Sequence, residues 1–156
     1  MGGALYAIGG WSGGHRVATA ERYDPAANTW TAIASMASAR TDFAAAAMGG
    51  ALYVTGGLEG PYAGPHVALM RCERYDPVSN VWSRIADLPE PRFGHALACL
   101  GGSLYAVGGG AVDDGPCSTL SPWRYDAITD AWVVAPLAAV STPMKLFGTP
   151  DCWAAL

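Results

Sequence analysis

A pattern centred on tyrosine and tryptophan returns three times along this chain at a step near fifty residues, and it constrains the fold more than anything else in the sequence. Leu5-Tyr6 followed by Gly9-Gly10 returns as Leu52-Tyr53 with Gly56-Gly57, then as Leu104-Tyr105 with Gly108-Gly109. Tyr23-Asp24 returns as Tyr75-Asp76 and Tyr125-Asp126, and Trp30, Trp82 and Trp132 keep the same steps of 52 and 50 residues. Tyrosine and tryptophan are seven residues apart in every copy, whereas the distance from double glycine to Tyr-Asp is 13, 18 or 16 residues. One rigid and one elastic segment per copy describe a structural unit with a single free loop, which must stack on its neighbours to bury its apolar side.

The rigid segments read as strands. Residues 4–8, 51–55 and 103–107 are short, apolar and closed by glycine, as buried strands are. A second strand carries Glu21-Arg22-Tyr23 and Glu73-Arg74-Tyr75, and a third starts near each tryptophan. Asn28, Asn80 and Asp130 occupy the connector between them, where a tight hairpin needs a residue that tolerates left-handed backbone. A fourth strand covers 43–48 and 95–100. Ala44 to Ala47 alone would favour helix, but the equivalent Ala96-Leu97-Ala98-Cys99 ends in the same glycine turn, so strand is expected for both.

Four strands per copy, a double glycine, and tyrosine and tryptophan at fixed separation resemble the kelch repeat. The resemblance implies an all-β fold: a partial β-propeller of about three four-stranded antiparallel blades, at about 2–40, 41–92 and 93–143, the first without its inner strand. Residues 144–156 form a divergent tail. Gly9, Gly10, Gly56, Gly57, Gly108 and Gly109 would admit close backbone approach, and Tyr23, Trp30, Tyr75, Trp82, Tyr125 and Trp132 would fill the core. The third copy departs from the pattern: Trp123 stands where a Glu is expected, Ala127 where a Pro is, and Thr142 where Arg40 and Arg92 stand in the others. Propellers close with four or more blades, so three either pair with a second copy as a homodimer or belong to a longer propeller.

The resemblance also implies a protein–protein interaction module, akin to the recognition part of kelch-like ubiquitin-ligase adaptors or actin-associated kelch proteins. The alternatives are a structural or nonfunctional fragment and, more remotely, a kelch-type enzyme such as a sugar oxidase or sialic acid epimerase. Ligand contacts are expected from Arg40 and Arg92, in the loops between blades, and from Trp11 and Tyr62, in the elastic loops. Two arginines suit an acidic peptide through charge-assisted hydrogen bonds, while either one alone reads first as a structural residue bracing the inter-blade turn it stands in. Trp11 is equally able to be a binding anchor or to pack on its own blade. His95 is expected to be packed or hydrogen-bonded, and Glu21-Arg22 and Glu73-Arg74 to form pairs between strands or blades.

Composition narrows the chemistry. With 51% hydrophobic and 14% charged residues the chain can bury a core, and a net charge of −4 gives no footing for nucleic acid or an anionic membrane. Cys72, Cys99, Cys117 and Cys152 make no C-x-x-C pair, and His15, His66 and His95 fall in no ligand spacing, so no metal, cofactor or catalytic residue is expected. Asp113-Asp114 read as solvated carboxylates rather than a cation site. With no secretory signal and no apolar run long enough to span a bilayer, the expected location is the cytoplasm.

Overall fold

A computed structural model of the chain describes residues 4–61, 64–111 and 121–135. Fifteen strands and no helix occur among them. Blade 1 contains β1 (Leu5–Ile8), β4 (Ala20–Asp24) and β5 (Thr29–Ile33), with a ribbon of β2 (Trp11–Ser12) and β3 (His15–Arg16) inserted after β1. Blade 2 contains β6 (Ala44–Met48), β7 (Ala51–Thr55), β10 (Cys72–Asp76) and β11 (Val81–Ile85), with the ribbon β8 (Leu58–Glu59) and β9 (Val67–Ala68). Blade 3 contains β12 (Ala96–Leu100), β13 (Ser103–Val107), β14 (Trp123–Asp126) and β15 (Ala131–Val134). Every pairing is antiparallel. The three blades expected from the repeat are present, and Ala44 to Ala47 lie in a strand.

Local chemistry accounts for the hairpins. Asn28, Asn80 and Asp130 have φ of 53°, 56° and 48°, and their Oδ1 atoms accept the hydroxyls of Tyr23, Tyr75 and Tyr125 at 2.8, 2.9 and 2.7 Å. The aspartate closing each second strand accepts the backbone N–H two residues on, at 2.9 Å in all three copies. Those amide donors hold the Asp126 carboxyl below its ordinary pKa.

The repeat tryptophans lock each blade to the one before it. Trp82 Nε1–H donates to the Ala34 carbonyl at 2.7 Å, while Asn80 Oδ1 accepts the Ala34 N–H at 2.9 Å. Trp132 and Asp130 treat Ala86 in the same way, at 3.0 and 2.8 Å. Tyr6 meets Tyr75 across the first junction with centroids 6.2 Å apart, and Tyr53 meets Tyr125 across the second at 6.0 Å. The main apolar cluster, including Tyr53, Cys72, Leu88, Leu104, Tyr125 and Trp132, lies around that second junction.

This arrangement corrects one expectation. Trp30 is not core: it is 50% exposed, against 9% for Trp132. The tryptophan packs backwards, and among the described residues no sheet precedes blade 1 to receive it. Tyr23 is less buried than Tyr75 and Tyr125 for the same reason. Among the described residues no helix is long and apolar enough to cross a membrane.

Candidate interaction face

The loops entering each inner strand and the two ribbons gather at one end of the blades; the hairpins tipped by Val78 and Ile128 lie at the other. Gly10 N–H donates to the Arg40 carbonyl at 3.0 Å, and Thr41 exchanges two backbone hydrogen bonds with Leu58 at 3.1 and 2.7 Å. The double glycines permit this approach. A Cβ on Gly9 would lie 2.8 Å from the Phe43 ring and one on Gly57 2.6 Å from the Thr41 carbonyl oxygen, and both glycines have positive φ.

Arg40 and Arg92 brace the inter-blade turns, the structural reading of the two, and are not a ligand-reading pair at a mouth. Both are fully buried. Each arginine joins two blades. Its carbonyl accepts from the second glycine of the blade behind, Gly10 or Gly57, while its guanidinium reaches into the blade ahead. Arg40 donates to the carbonyls of Gly56 at 3.2 Å and Arg71 at 2.9 Å, to Ser38 Oγ at 3.1 Å, and to buried Glu73. Arg92 donates to the carbonyls of Gly108 at 3.0 Å and Ser121 at 2.6 Å, and to Glu90. Burial lowers both pKa values against the opposing pull of these carboxylates. Only Nε of each guanidinium is buried without a partner among the described residues. Glu73 therefore forms the inter-blade pair expected of it, and its other oxygen accepts the Ala37 N–H at 2.9 Å.

Trp11 stands on the first ribbon and is 44% exposed. The Arg16 guanidinium lies over its ring, 4.7 Å from the centroid. Arg16 is itself buried: Nε donates to Thr41 Oγ1 at 3.0 Å and Nη1 to the Gly60 carbonyl at 2.6 Å. One arginine thus ties the first ribbon to the second blade and supports the indole from behind. Arg16 belongs to the first elastic loop, expected to carry specificity, but only Trp11 stands out there in the sequence; Ser12-Gly13-Gly14-His15 is a two-glycine hairpin signal that pairs Trp11 with Arg16 in register. Tyr62 and Asp113-Asp114 lie outside the described residues, as do Cys117 and Cys152.

The titratable groups with large shifts are interior. His95 donates or accepts at Nε2 with Thr55 Oγ1 at 2.7 Å, and burial followed by the Arg92 charge pushes its pKa down to about 3. The Cys72 thiol is pushed up to about 12 by burial. Among the described residues no group of three or more His, Cys, Asp or Glu side chains could hold a metal ion.

Comparison with known proteins agrees with this architecture. A family profile described as the Kelch motif matches residues 1–37 and 39–89, and a second profile of the same description matches 91–136. Kelch-like protein 33 of Homo sapiens is 38% identical over 111 residues, which cover 69% of this chain and 20% of that protein. Kelch repeat and BTB domain-containing protein 13 of Homo sapiens is 33% identical over 147 residues, 93% of this chain and 30% of the relative. The chain thus spans less than a third of the length of these relatives. A solved structure described as that of YjhT superposes with a TM-score of 0.66 at 19% identity, over 82% of this chain and 50% of that one; it shows a shared fold. The three matched motifs and the three stacked blades identify this chain as a member of the kelch-repeat family.

Proposed function

We propose that the chain is a protein-binding module whose contact surface is the ribbon end of the blades, with Trp11 as its anchor. The observation that carries this reading is a large aromatic half in solvent yet held by a buried arginine, so that little side-chain freedom is lost when a partner covers it. Arg40 and Arg92 lie beneath this surface and hold its loops in place, serving an acidic partner only through their field. The relatives named for kelch and BTB domains, or for F-box and kelch domains, favour a recognition role of the ubiquitin-ligase adaptor kind, with these blades as the recognising part of a longer propeller. An actin-binding role has no separate support. Catalysis finds no support in the displaced titratable groups: Cys72, His95 and Tyr125, whose pKa values are shifted furthest, are all buried.

Affinity capture from cells, quantified against wild type, tests the proposal. Trp11→Ala should lower recovery of specific partners by about tenfold or more, while Val78→Glu, at the opposite end, should leave it unchanged. Undiminished capture by Trp11→Ala would overturn the reading.

A further inference from the structure

Between blades 1 and 2 a groove of about 540 Å³ is walled by Ser35 from the first blade and by Arg71, Glu73, Asn80, Trp82 and Arg84 from the second. Glu73 and Arg84 are cross-strand partners and so face the same way, back towards blade 1. Most of the wall is already committed: Glu73 to Arg40, Asn80 and Trp82 to Ala34. The two arginines are different. Arg71 has its carboxylate partner, Glu59, only at 3.9 Å, with both side chains partly exposed. Arg84 pairs with Asp87 at 2.6 Å, but its side chain is 68% exposed. Exposed pairs of this kind contribute little net free energy, so both guanidiniums can be redirected to a ligand.

The next junction shows what the blades themselves require. There Ser121 stands in place of Arg71, Trp123 in place of Glu73 and Val134 in place of Arg84, with Trp123 and Val134 in the same register as the Glu73–Arg84 pair. The Trp123 indole packs against the core cluster and donates to Glu90 at 3.0 Å. Blades therefore stack without either arginine, and the pair around an open groove needs another explanation. We propose that the groove binds an anionic side chain of an extended peptide, its oxygens held between Arg71 and Arg84 and its apolar stem against Trp82. Planar guanidinium forks suit either a carboxylate or a phosphate. The walls of the groove include neither Trp11 nor Arg16, so either proposal can fail alone.

The test uses the full chain, with arginine Nε–H and tryptophan indole N–H signals followed by NMR. Three capped tripeptides serve as probes: Ala-Glu-Ala, its phosphoserine counterpart and its glutamine counterpart. The proposal expects saturable shifts at Arg71, Arg84 and Trp82 with at least one anionic probe and none with the neutral one; the two anionic arms tell carboxylate from phosphate. The double variant Arg71→Ser with Arg84→Val, borrowing the residues of the next junction, should weaken binding about tenfold or more, with the Trp132 signal unmoved. Should the double variant lose the Trp132 signal, Arg84→Val alone should weaken binding about threefold. Shifts of equal size at exposed Arg22, no saturation with either anionic probe, or unchanged affinity in the folded variant would overturn it.

Discussion

Arg40 and Arg92 hold equivalent places, yet the carboxylate that answers each comes from a different position. Arg40 is met by Glu73 on the second strand of its blade, with Ser38 beside it. In the next copy Trp123 replaces that glutamate, and Glu90, at the position of Ser38, takes over the charge. Removing one partner of a buried ion pair leaves an uncompensated charge, so Glu73→Ala should cost about 3–5 kcal/mol in urea unfolding. Glu90→Ala should cost less, because its side chain is about one-third exposed. Adding Ser38→Glu to Glu73→Ala should recover part of the loss, and a loss under about 1 kcal/mol for Glu73→Ala would contradict the assignment. His95 contributes to the pH dependence. Its pKa is 6.5 in the unfolded reference and about 3 when folded, so between those values the unfolded chain binds a proton that the folded chain does not. Stability therefore falls as pH drops through that window, by up to about 1.4 kcal/mol per unit, and is unaffected by this group above it. His95→Gln should flatten the acid limb of a stability–pH curve; an unchanged slope would contradict this.

At the scale of the elements, the tryptophans make a graded series. Trp132→Ala should destabilise by about 3–5 kcal/mol, whereas Trp30→Ala, which removes a half-exposed ring, should cost about 1 kcal/mol or less; thermal unfolding of the two variants measures both. Equal costs would mean that the indole packs within its own blade rather than on the preceding one. Much of this level was legible in the sequence. The strands of the blades emerged within a residue or so because glycine pairs, αL asparagines and a rigid tyrosine–tryptophan spacing punctuate them, and the Ala44–Met48 strand emerged because the repeat outweighed local helix propensity. The ribbons did not emerge. Each is two residues per strand, inside loops whose lengths differ between copies, and repetition carries no information there. The same reason hid Arg16, whose partners Thr41 and Gly60 belong to another blade. The burial of Arg40 and Arg92 was illegible for a different reason: a sequence shows a charge beside a turn, while the carbonyls that surround it assemble only when two blades stack.

For the whole molecule, the faces of blades 1 and 3 that no other sheet covers among the described residues decide solution behaviour. Leu5 and Trp30 are exposed on the first, Val133 on the third, and β1 has an unpaired inner edge among the described residues. Such surfaces associate, so light scattering should show the chain by itself larger than a monomer at micromolar concentration. A stable, well-folded monomer would contradict that expectation. The central claim, that the ribbon end is where a protein partner sits, is tested most directly by photo-crosslinking in cells. A photoreactive phenylalanine at position 11 should give a recurring set of protein adducts, and the same group at position 78, 95% exposed at the opposite end, should not. Adduct patterns that are the same at both positions, or present only at 78, would contradict the account.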